Sequence, residues 1–205
     1  MNSLQDQLLI AMPSLDDGYF NKTVTYICEH SEKGAMGLII NLPINITLLE
    51  LLKQIDMEDE EEDDSPNVTS DVNLNVNLDM DINEYSTQGY HQSKSHDKYA
   101  IKTTEKNMVD NESTDKENSL KQLVLSGGPM GQHNGFVLHS TQKGWGSSLV
   151  LNKELMITTS KDILLALGTI DAPKNFMVTL GYASWGPGQL EEELQTNTWL
   201  TAPAD

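Results

Sequence analysis

Apolar residues fall into short blocks along the chain, separated by glycine and polar turns. TVTYICEH (23–30) and AMGLIINL (35–42) have the length and the β-branched and aromatic content of strands, and the intervening SEKG is a hairpin signal. KQLVLSGG (121–128), GFVLHS (135–140), SSLVLN (147–152) and NFMVTLGYA (175–183) repeat that character. Two helices are marked by their starts. Thr47 and Glu50 form a capping box opening LLELLKQI, each side chain satisfying a backbone donor that the first turn leaves orphaned. Thr159-Ser160-Lys161-Asp162 opens DILLALG, and QLEEEL supplies a third helix with Leu190 and Leu194 on one side. Roughly seven strands and three helices predict a sheet-dominated domain of the α/β or α+β class.

Residues 58–119 break the pattern. The block MEDEEEDDSPN is followed by asparagine, serine, threonine and lysine with few large apolar groups, and the segment holds 17 of the 31 acidic residues against 5 of the 13 basic ones. Such a composition cannot bury enough surface to offset chain entropy. It predicts a largely disordered acidic insertion dividing one domain into residues 1–57 and 120–205, whose broken ends lie close together. Inside it, Asp71 to Ile82 alternates polar and apolar without a fault. Its face of aspartate and asparagine oxygens could hold calcium, but the glycine that bends an EF-hand-type loop is absent, which favours a solvated spacer with strand tendency. His91 and His96 also lie here, where a weak adventitious metal site is the most they would form.

Charge and cysteine narrow the function classes. The net charge is −18 and all 13 basic residues are lysine, so the planar fork that grips phosphates and guanine edges is missing. Direct nucleic-acid binding is not expected of such a surface. Cys28 is the single cysteine, so no intrachain disulfide forms, and its neighbours Tyr26 and Ile27 predict a buried thiol suited to a reducing cytoplasm. The first residues have no basic n-region, and no apolar run approaches the roughly 20 residues that span a bilayer, so neither a signal peptide nor a membrane partner is expected.

Five blocks carry a family resemblance: LIAMPSLDDGYF, TVTYICEHSEKGAMGLIINLP, SGGPMGQHNGFVLHS, ITTSKDIL, and LGYASWGPGQLEEEL with NTWL and PAD. In this order they resemble the AlgH/YqgE family of bacterial proteins, over nearly everything outside the insertion. The resemblance implies a small β-barrel-like mixed sheet flanked by helices. It also implies a cytosolic protein linked in some bacteria to regulation of gene expression, including exopolysaccharide production. The family supplies no established catalytic residues to carry over. Three departures stand out: the long acidic insertion, a chain that stops at Asp205 where members usually continue into a further strand and helix, and Leu42 where a basic residue is common.

Two glycine clusters and two histidines are the candidate chemistry. In SWGPGQLEEEL, a helix start behind Gly186 and Gly188 would favour an anion, yet Glu191, Glu192 and Glu193 fill the first turn and would repel phosphate. A rigid corner anchored by Trp185, with Pro187 fixing one φ and the glycines permitting unusual ones, is the favoured expectation. Ser126-Gly127-Gly128-Pro129 matches neither nucleotide fingerprint, though its amides could line a pocket. His30 and His139, beside Glu29 and Ser140, each end a strand and could converge with Ser126 or Cys28 into an acid–base or nucleophilic set. No G-x-S-x-G elbow or zinc-binding histidine pair supports that set. The sequence therefore predicts no cofactor and no metal, and a non-enzymatic regulatory or adaptor protein with an unknown protein partner. The alternative is a small-molecule-binding or hydrolase-like protein with a pocket at the two glycine loops.

Overall fold

A computed structural model of the chain describes residues 3–15, 17–59 and 118–204. The predicted insertion, its alternating segment and His91 and His96 fall almost wholly on 60–117, outside the described residues.

The described chain forms ten strands in one sheet. They are β1 (Gln7–Ala11), β2 (Val24–Ser31), β3 (Gly34–Ile39), β4 (Pro43–Thr47), β5 (Leu123–Ser126), β6 (Met130–Ser140), β7 (Ser148–Val150), β8 (Leu155–Thr158), β9 (Phe176–Trp185) and β10 (Trp199–Pro203). Helices α1 (Leu48–Asp59), α2 (Lys161–Ala166) and α3 (Gln189–Gln195) accompany them. Along the main path the order is β10-β1-β2-β3-β9-β6-β8-β7, with β5 joining β9 in parallel and β4 pairing β5. All other pairings are antiparallel.

The predicted hairpin is the β2–β3 pair, with Ser31 opposite Gly34. The capping box is present: Thr47 N–H donates to Glu50 Oε2 at 2.8 Å and Glu50 N–H donates to Thr47 Oγ1 at 3.3 Å. These bonds hold the Glu50 carboxyl below its usual range.

Bulges in β2 and β6 bend the sheet, and contacts between its two ends set the curl. Gln5 Nε2 donates to the Leu151 carbonyl at 3.2 Å, and Asn152 Nδ2 donates to Asp6 Oδ1 at 2.6 Å. Asp6 Oδ1 also accepts the Tyr26 hydroxyl at 2.6 Å; burial and that carboxylate push the phenol well above its ordinary range. The result is a mostly antiparallel half-barrel. Alternation along β6 separates its faces: Phe136 packs with Tyr26, Cys28, Leu38 and Ile157 inside the curl, whereas Val137 packs with Val178, Leu180 and the buried faces of α1 and α2 outside it. A third cluster, around Leu9, Ile27, Trp185 and Trp199, is covered by Leu190 of α3. Cys28 is buried as predicted, and desolvation pushes its thiol up to about 12.

Candidate functional site

The Ser126–Pro129 segment is a wedge in the sheet. Strands β3 and β9 pair from Ala35 opposite Trp185 to Gly37 opposite Ala183, then part, and β5 with its glycines fills the opening. Ile39 N–H donates to the Gly127 carbonyl at 2.8 Å, Gly127 N–H to Leu180 O at 2.7 Å, and Ser126 N–H to Leu42 O at 2.7 Å. A Cβ on Gly127 would overlap Gly181 O and lie 2.7 Å from Thr179 Oγ1, and one on Gly128 would overlap the Tyr182 carbonyl. Close backbone approach to β9 requires these glycines. Ser126 Oγ meets the Tyr19 hydroxyl at 2.5 Å, and Tyr19 is placed by the Asp17 carboxylate, which accepts its N–H at 2.8 Å.

The Trp185–Gly188 turn is held by side chains instead. Glu193 Oε2 accepts both indole N–H groups, Trp185 Nε1 at 2.9 Å and Trp199 Nε1 at 2.7 Å, while Glu193 Oε1 accepts Gln189 Nε2 at 2.9 Å. Gln189 Oε1 in turn accepts Gly186 N–H at 3.0 Å, which ties the corner to the first turn of α3. The indoles meet edge to face at 6.1 Å, with Phe20 against both. Gly188 has φ +77 and only open space around it. Gly186 takes no left-handed φ, so one of the two glycines supplies the unusual backbone.

His30 and His139 sit at opposite ends of β9. His139 pairs with Phe176, whereas His30 pairs with Ala35 opposite Trp185. At roughly 3.3 Å per residue that register separates them by about 25–30 Å, so His30, His139 and Ser126 are not brought into one constellation. Each imidazole is fully engaged where it lies. His30 Nδ1 accepts the Leu4 N–H at 2.9 Å, which places the proton on Nε2, 2.9 Å from Glu191 Oε1. His139 Nδ1 donates to the Ser140 carbonyl at 2.9 Å, and its Nε2 lies 2.9 Å from Thr158 Oγ1. His139 is 1% exposed, and desolvation lowers its affinity for a proton. Ser140 itself ties β6 to the start of β9, its Oγ accepting Asn175 N–H at 3.3 Å.

Tyr19 and Thr158 are polar partners that sequence reasoning did not single out. Glu191, Glu192 and Glu193 were all expected in the first turn of the helix, but only Glu191 and Glu192 lie there, because the helix starts at Gln189. Among the described residues no group of three or more histidine, cysteine or acidic side chains is disposed to hold a metal ion, and no helix is long and apolar enough to cross a membrane.

These features define a class: a curled, mostly antiparallel α/β half-barrel. The AlgH-like family model, DUF179, matches residues 8–205, and the chain belongs to that family. A UPF0301 protein of Colwellia psychrerythraea is 61% identical over 205 residues, spanning 100% of this chain and 84% of that one. A UPF0301 protein of Shewanella woodyi is 43% identical over 204 residues, with 81% of its length covered. The solution structure of the AlgH protein from Pseudomonas aeruginosa matches with a TM-score of 0.63 at 32% identity, covering 100% of this chain and 79% of that chain. A Corynebacterium diphtheriae protein, DIP2367, shares the fold with a TM-score of 0.55 at 15% identity.

Proposed function

We propose that this chain is a cytoplasmic regulatory or adaptor protein that works by binding another protein along the open edge of β7. The supporting observation is that edge itself. Ser148, Leu149 and Val150 are all exposed, and Leu149 and Val150 present large apolar side chains at 49% and 57% of full exposure. Thr159 N–H donates to Ser147 O and Leu151 N–H to Leu155 O, which marks the bonded pairs with β8 as 147/159 and 151/155. Alternation makes Leu149 opposite Ile157 bonded as well, so the backbone groups of Ser148 and Val150 face outward. A strand of a partner added there would gain main-chain hydrogen bonds and cover the two apolar side chains. The regulatory setting is what the resemblance of the sequence blocks implies, and a net-acidic, arginine-free chain disfavours direct contact with nucleic acid.

The test is co-purification from native cytosol with the full chain and with Leu149→Lys/Val150→Lys. A stoichiometric protein retained by the first and lost by the second is the expected result. Equal retention by both refutes the β7 site. The competing idea of a small-molecule pocket at the GGP and WGPG loops has one specific support, the buried Thr179 hydroxyl beside Gly127, which has no hydrogen-bond partner. A metabolite extracted in stoichiometric amount with no protein partner would favour it.

A further inference from the structure

We propose that Ser148 is an activated acyl acceptor, its hydroxyl connected to the buried base His139 through the hydroxyl of Thr158. The inference does not rest on the β7 edge taking a partner, and it concerns the chain while that edge is free.

The connection follows from register. Ser148 and Thr158 face each other as a pair without mutual main-chain bonds, the kind whose side chains approach most closely, and their hydroxyl oxygens lie 2.7 Å apart. Thr158 is diagonal to His139 across β6 and β8, and this brings Thr158 Oγ1 to 2.9 Å from His139 Nε2. The direction of the chain is set at its inner end. The Ser140 carbonyl can only accept, so Nδ1 carries the imidazole proton and Nε2 offers a lone pair to Thr158. Thr158 donates to the imidazole and can accept from Ser148. Burial keeps His139 neutral, the form a base requires.

The outer end is open. Ser148 is exposed, and its own N–H faces away from β8, placed to donate to an oxygen bonded at the carbon its Oγ attacks. The turn leading to it is bent by Gly144 at φ +118 and Ser147 at φ +35, a backbone region that non-glycine residues rarely occupy. The hydroxyl also lies 3.0 Å from Gly146 O and 3.2 Å from Trp145 O, so its single proton is shared between capping the turn and the relay.

The chemistry requires an activated ester or thioester as donor. Ser148 Oγ bonds to the acyl carbon as its proton passes to Thr158 Oγ1, and the Thr158 proton passes to His139 Nε2. The bond from the acyl carbon to the leaving oxygen or sulfur then breaks, and the leaving group takes the proton now on Thr158 Oγ1, which the proton on His139 Nε2 replaces. The products are acyl-Ser148, the free alcohol or thiol and neutral His139.

The probe is p-nitrophenyl acetate with the full chain, reading nitrophenolate release and locating the acetyl group by peptide mass spectrometry. Exposed Ser14 is the internal reference. The expected result is one acetyl on Ser148, at a rate on the order of 100-fold above Ser14, the range general-base assistance supplies. Thr158→Val should bring Ser148 down to the Ser14 rate, while Thr158→Ser, which keeps the hydroxyl, should stay within a few-fold of the native chain. The Ser148 rate should also fall on acidification as His139 takes up a proton. Acetylation of Ser148 no faster than Ser14 overturns the proposal in the native chain alone. So does a Thr158→Val protein, folded by circular dichroism, that reacts like the native one. Should Thr158→Val fail to fold, a large loss in a folded Thr158→Ser overturns it as well.

Discussion

The two glycine turns are alike in composition and opposite in how they are used. At Ser126–Pro129 the glycines are needed because another strand occupies the space a side chain would fill. At Trp185–Gly188 space is open, and rigidity comes from Glu193 holding two indoles. A glycine cluster therefore says that backbone is special at a position, without saying whether crowding or dihedral angle is the cause. Substitution separates the two.

The largest effect is expected at the wedge. Gly128→Ala forces backbone against Tyr182 and should cost about 3 kcal/mol or more, or prevent folding, as seen in urea unfolding midpoints. Next comes the clasp: Glu193→Ala leaves the Trp185 and Trp199 N–H groups without their partner, at about 2–3 kcal/mol, with a shift in tryptophan emission as the corner loosens. Gly188→Ala meets no atom but holds an L residue at φ +77, so about 1 kcal/mol is expected, and Gly186→Ala should stay within about 0.5 kcal/mol. Equal losses at Gly128 and Gly186 would dissolve the distinction.

The histidines sharpen the same contrast by pH. His139 binds a proton less readily folded than unfolded, so between its lowered native value and the ordinary value of about 6.5 the unfolded chain carries the extra proton. The stability from burying neutral His139 is complete above that ordinary value and is lost as pH falls through the native one. Unfolding midpoints should therefore drop on mild acidification, and His139→Gln should flatten that part of the profile.

Local signals were legible in the sequence and lateral ones were not. The Thr47–Glu50 capping box and the SEKG hairpin could be read because every participant lies within a few residues. β1 and β10 went unread as a pair because Gln7 and Pro203 meet only in the fold, and β4 because its short run pairs with β5, which lies more than seventy residues further along the chain. At the candidate site, the run Glu191–Glu193 was visible as acidic charge at a helix start. That Glu191 takes His30 and Glu193 takes two tryptophans depends on how the helix sits against β2, β9 and β10. Ser148 and Thr158 looked ordinary, since only register makes them neighbours.

The contact surface is tested most directly by amide hydrogen exchange of the chain alone and with its captured partner. The Ser148 and Val150 amides, which face the open edge, should become strongly protected while those at Gly127 and Gly186 stay unchanged. Protection arising at the glycine turns, with β7 still exchanging freely, would contradict the account.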